Sequence, residues 1–188
     1  MLAPLLFAFG HVCYHITSAT ISGTLWNTVY EALALGWNEM PALYEQLGIR
    51  FEYPDNWVLD ASEDQGSPAS IAVTSPSGAF WSVSIHPADE DLAALVDQVL
   101  AALHDVYQDL DAEAISQDFG PCESIGYDVD FYCLDLTSSA MIRAVRTPQG
   151  TYVVLCQAED QDYQRFEPVF QAITTSLLRG ATADSMIR

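Results

Sequence analysis

The ten residues Gly48-Ile49-Arg50-Phe51-Glu52-Tyr53-Pro54-Asp55-Asn56-Trp57 combine a strand, a turn and an aromatic anchor. Ile49, Phe51 and Tyr53 alternate with Arg50 and Glu52, the two-residue period of a strand with one buried face. Pro54 presets the backbone for a turn that Asp55 and Asn56 tolerate, so the chain reverses before Trp57-Val58-Leu59, which reads as a second short strand. Downstream, 67–75 (with Ile71 and Val73) and 79–86 (with Phe80, Val83 and Ile85) read as two more strands, joined by Pro76-Ser77-Gly78. Tight connections of this kind join strands of opposite direction, so an antiparallel sheet is expected. Upstream, Leu33, Trp37, Met40, Tyr44 and Leu47 recur at helical spacing, and Pro41 suits a first helical position; a short helix beginning at Pro41 is expected.

Pro87 stops the fourth strand, and Asp89 is expected to cap the following helix, with Glu90 and Asp91 complementing its dipole. Leu92, Val96, Val99, Leu103, Val106 and Leu110 step by four and three, forming one apolar stripe. Each such aliphatic contributes about 1.5–3 kcal/mol when buried, so the stripe is a principal wall of the core. Residues 114–119, 126–136, 140–146 and 151–158 read as strands, with turns at Gly120-Pro121 and Pro148-Gln149-Gly150. A closing helix is expected from Pro168, with Phe166, Phe170, Ile173 and Leu177 on its inner face. Strands, a long helix, more strands and a last helix, with no repeat or linker between 48 and 179, describe an α+β domain: an antiparallel sheet flanked by helices.

Residues 48–57 resemble the opening strand and turn, G-x-x-F-x-Y-P-x-x-W, of PsbP-like domains, and Phe166-Glu167-Pro168-Val169-Phe170 through Ser176-Leu177 is similar to their last helix. The resemblance covers about residues 48–179. It implies an α/β/α sandwich around an antiparallel sheet, of the superfamily that takes in PsbP, the Mog-type Ran-binding import factors and the DcrB-related bacterial proteins. Under it Phe51, Tyr53 and Trp57 are packing residues, and Pro54 and Asn56 are turn residues. Those relatives are binding or accessory proteins, so the resemblance carries no catalytic residue over.

Composition narrows the partners. Twenty-six Asp and Glu against six Arg and no Lys give the 188 residues a formal charge of −20 and a pI near 4.1. Such a surface repels nucleic-acid phosphates and anionic lipid, so the expected partner is another protein with a basic surface, with no nucleic acid and no membrane insertion. Half of the residues are hydrophobic, enough for one substantial core. Cys13, Cys122, Cys133 and Cys156 show no C-x-x-C spacing, which favours a reducing, cytoplasmic setting; Cys133 and Cys156, in strand-like runs, read as small buried hydrophobes rather than as zinc or redox residues. The first thirty residues carry no acid or base, and their apolar run ends at Gly10, short of a membrane span and without the basic start of a secretory signal. Residues 1–39 are therefore expected to be an extension, loosely attached or preceding a true start at Met40; 40–179 form one domain and 180–188 a tail.

No H-E-x-x-H, P-loop, G-x-S-x-G or G-x-G-x-x-G occurs, so neither enzymatic activity nor a cofactor is expected. The nearest approach to a chemical constellation is His86, Asp89, Glu90 and Asp91, an imidazole beside three carboxylates at a strand-to-helix junction. Those residue types suit a metal or an acid/base pair, and give an alternative function as a metal-assisted hydrolase or small-ligand binder. Helix capping accounts for the same residues more simply. Asp105, Asp109, Asp111 and Glu113 lack the spacing of a calcium loop and read as a solvated helix end. Asp128, Asp130 and Tyr132 alternate with Val129, Phe131 and Cys133, giving a strand with one acidic and one apolar face, and the carboxylates beside Tyr127 and Tyr132 form a candidate recognition patch. Phe80 and Trp81 point to opposite faces, so one of them is expected to be less buried. The function expected is a non-catalytic interaction or accessory module.

Overall fold

Leu47 and Gly48 both have positive φ, 56° and 75°, and that left-handed pair folds β1 (Ala42–Gln46) back on β2 (Ile49–Tyr53) as a two-residue hairpin. The computed structural model describes residues 41–62, 68–107, 109–116, 122–133 and 136–183. The helix expected from Pro41 is thus a strand. Its helical periodicity drew on Leu33, Trp37 and Met40, which lie outside the described residues, whereas the turn places Tyr44 opposite Phe51, where their rings stack at 5.1 Å.

The main sheet has seven strands in the order β3-β4-β5-β9-β8-β7-β6, every neighbouring pair antiparallel. They are β3 (Val58–Ser62), β4 (Ser70–Thr74), β5 (Phe80–His86), β6 (Leu110–Ser116), β7 (Ser124–Cys133), β8 (Leu136–Thr147) and β9 (Gly150–Glu159). The turn after β2 closes through the Trp57 N–H, which donates to the Pro54 carbonyl at 3.0 Å. The expected turn at Gly120-Pro121 lies outside the described residues, as do residues 1–40.

Among the described residues, two helices lie on opposite faces. Helix α1 (Leu92–Val106) buries Leu92, Leu95, Val96, Val99 and Leu103 against β7, β8 and β9. Its stripe stops sooner than expected: Val106 is 44% exposed, Tyr107 caps the C-terminus, and Leu110 opens β6. The N-cap is Asp91 rather than Asp89; its Oδ1 accepts from the Ala93 N–H at 2.8 Å. Residues 87–90 are occupied by a turn, closed by Glu90 N–H donating to the Pro87 carbonyl, so the cap falls to the residue just before Leu92.

Helix α2 (Asp160–Ala183) begins eight residues before Pro168, which lies inside it. Asp160 and Asp162 in the first turn complement its dipole. Tyr163, Phe166 and Phe170 keep the packing face continuous across the proline, whose missing N–H would otherwise break a helix. The last turn, expected in a tail from 180, belongs to the helix, with Ala181 buried. Trp81 Nε1 donates to Thr174 Oγ1 at 3.0 Å, and the Glu52 N–H donates to Ser176 Oγ at 3.0 Å, so α2 is bound to both sheets. Because the central strands are covered on both faces, Phe80 and Trp81 are both buried, against the expectation that one would be less so.

Candidate functional site

Coverage of the sheet is uneven on the α2 side. The β1–β2 hairpin and α2 together bury Ile71, Val73, Trp81, Val83, Val145, Val154 and Cys156, which belong to β4, β5, β8 and β9. Neither described helix packs substantially on β6. Among the described residues, the faces of β6 and β7 on this side are therefore bare beyond α2. Asp128, Asp130 and Tyr132 project there from β7, and Tyr132 is 66% exposed. Tyr127, expected beside them, points to the other face, where its hydroxyl donates to Asp97 Oδ1 at 2.7 Å. That hydrogen bond and the adjacent carboxylate hold its phenol pKa above the usual value.

Asp111 and Glu113, expected at a helix end, instead lie on β6, directly opposite Asp130 and Asp128 in the register. The missed signal was the alternation Leu110-Asp111-Ala112-Glu113-Ala114-Ile115, which has the period of a strand. Two like-charged pairs thus sit side by side on one sheet face. Directly opposed like charges destabilise a strand pair, so this arrangement costs the fold stability.

One cation stands beside them. Arg143, on β8 opposite Gly126, is 4% exposed; its guanidinium donates to Asp128 Oδ1 at 2.5 Å and to the Tyr127 and Ile142 carbonyls at 2.8 and 2.9 Å. Asp130 accepts from Ser139 Oγ at 2.7 Å. Between this strip and α2 lies a cavity of about 400 Å³, lined among others by Asp128, Asp130, Arg143, Tyr163, Glu167 and Gln171. Burial pushes the Tyr163 phenol well above its usual range, and Cys156, wholly buried behind, has its thiol pushed up by burial against an opposing pull from Arg143. Both are neutral at physiological pH. The cavity presents carboxylates, hydroxyls, an amide and the Arg143 guanidinium.

The sequence-expected quartet is only half assembled. His86 Nδ1 approaches Glu90 Oε2 at 3.2 Å, and its Nε2 pairs with Ser84 Oγ at 2.9 Å. Burial lowers the His86 pKa, and Glu90 works against that shift. Asp91 is engaged as the helix cap, and Asp89 is exposed. Arg146 donates to the Ala88 and Glu90 carbonyls, fastening the loop between. Among the described residues no three His, Cys, Asp or Glu side chains are placed to hold a metal ion. The signature residues are structural: Phe51 lies 5.0 Å from Trp81 and 6.0 Å from Tyr53, and Trp57 meets Phe166 and Phe170 edge-on.

No family model matches the sequence, and no curated protein matches it. Similarity shows in the fold. The cyanobacterial PsbP (CyanoP) of Synechocystis sp. PCC 6803 superposes with a TM-score of 0.51 at 15% identity, over 75% of this chain and 94% of that one. The chain has the PsbP-like fold. Two further structures match less closely: PA94 of Pseudomonas aeruginosa, a protein of unknown function (TM-score 0.44, 12% identity, 74% of this chain and 96% of that one), and LpqN, involved in cell envelope biogenesis of Mycobacterium tuberculosis (0.39, 13%, 72% and 83%). At such identities the likeness is one of architecture. Within the PsbP-like fold of this chain, no described helix is long and apolar enough to cross a membrane.

Proposed function

We propose that this protein is a non-catalytic interaction or accessory module, whose contact surface is the acidic strip of β6 and β7 beside α2 and whose partner is a protein with a basic surface. One observation carries the reading: Asp111 faces Asp130 and Glu113 faces Asp128 on a sheet face that no described helix covers. A fold loses stability by that pairing, and a cationic partner restores it. The −18 net charge of residues 40–188, 24 acids against six arginines, extends the same field over the domain. The buried thiols of Cys122 and Cys156, free rather than disulfide-bonded, support a reducing, cytoplasmic setting.

The test is kinetic. With a partner captured from the native source, the association rate measured by stopped flow is expected to fall steeply between low and high salt, while dissociation changes less. Screening over about 8 Å at physiological ionic strength leaves contact-range attraction in place. A rate independent of salt would overturn the reading and leave the acidity as a solubility feature.

A further inference from the structure

The strand that carries half of the acidic strip is also the edge of the sheet. β6 pairs with β7 through seven continuous positions, Leu110 opposite Phe131 to Ser116 opposite Ile125, and among the described residues has no strand on its other side. Asp111, Ala112, Glu113 and Ala114 are all exposed. Proteins ordinarily blunt such an edge with proline, charged side chains, a bulge or a covering helix. Of these β6 has the acids Asp111 and Glu113, which repel an acidic or identical strand and admit a basic one; it has no proline, its register with β7 is unbroken, and neither described helix packs substantially on it.

We propose that the β6 edge binds an extended segment of a partner protein as an eighth strand, with Lys or Arg at alternate positions of that segment lying against Asp111 and Glu113. This rests on the reading of the strip as a surface for basic partners, and adds the mode of binding. The spacing supports it: residues two apart on a strand share a face about 6.8 Å apart, so alternate cations on an added strand match Asp111 and Glu113 one for one. Charge also selects the occupant. A second copy pairing β6 to β6 would bring Asp111 and Glu113 against themselves, adding like charge to a face already overloaded. Residues 1–40 of the chain contain no Lys or Arg, so they do not supply the cations.

Two peptides of identical composition test this on the unmodified full chain: Thr-Lys-Thr-Lys-Thr-Lys-Thr, whose lysines share one strand face at two-residue spacing, and Thr-Lys-Lys-Thr-Thr-Lys-Thr, in which no two lysines stand two residues apart. The alternating peptide is expected to bind about tenfold tighter by fluorescence anisotropy, to slow amide hydrogen exchange across Asp111–Ile115, and to lose that advantage when its alternate amides are N-methylated. Equal, salt-sensitive binding of both peptides, with no protection of β6, would overturn strand addition while leaving the acidic surface in place. Binding by neither would overturn both. Asp111→Asn combined with Glu113→Gln is expected to abolish the preference for the alternating peptide, and its persistence would also overturn the proposal.

Discussion

Trp57 shows how much a single residue of the opening stretch carries. It is 6% exposed, its N–H closes the turn on Pro54, and its indole meets Phe166 and Phe170 at 5.7 and 6.1 Å, joining the β2–β3 turn to α2. Trp57→Ala is expected to lower the unfolding free energy by about 3–5 kcal/mol in chemical denaturation, and an unchanged midpoint would contradict this. His86 gives a pH dependence. Burial holds its pKa in the fold below the ordinary 6.5, so the unfolded chain takes up a proton first as the pH falls. Its neutral form therefore favours the fold fully above pH 6.5, and that contribution is lost as the pH drops through 6.5 toward the lowered value. The difference in stability between the native chain and His86→Gln is expected to shrink from pH 8 to pH 5; a difference constant across that range would exclude the effect.

At the scale of elements, the longest ladder runs through β7, β8 and β9, and its tightest point is Gly126. A Cβ there would overlap the Ile142 carbonyl oxygen, a backbone atom held in the ladder. Gly126→Ala is accordingly expected to destabilise by about 1–3 kcal/mol, since the strands have to part to admit the methyl group. A thermal midpoint equal to that of the native chain would show that β7 can shift. The helices show two ways in which packing overrides local signals. Pro168 has the marks of a helix start, yet the aromatic face of Tyr163, Phe166 and Phe170 carries the helix through it. The spacing of Val106 and Leu110 extended the apolar stripe of α1, yet the chain leaves the helix at Tyr107 so that β6 can pair with β7.

At the scale of the molecule, the core described on each face of the sheet is assembled from residues between Tyr44 and Ala181. A chain begun at Met40 is expected to unfold within about 2 kcal/mol of the full chain, the contribution of one or two buried aliphatics. A larger loss would show that residues 1–39 are part of the domain. The two cores are offset: α1 covers β7 to β9, while α2 and the hairpin cover β3 to β5, β8 and β9. Among the described residues, that offset leaves the acidic faces of β6 and β7 uncovered.

The sequence by itself determined the alternation of the strands, the antiparallel class, the burial of Phe51 and Trp57 and the acidic face of Asp128 and Asp130, because each follows from the period of neighbouring residues or from turn chemistry. The PsbP-like architecture was legible for the same reason, in a short signature of packing and turn residues. Tertiary structure alone decided that Ala42–Gln46 is a strand, since its hairpin partner and the buried face of α2 outweigh helical spacing. It also decided that Asp111 and Glu113 stand opposite Asp130 and Asp128, and that Arg143 is the cation buried beside them. Register and coverage relate residues far apart in the chain, and local periodicity carries no information about which strand lies opposite which or which face a helix leaves bare.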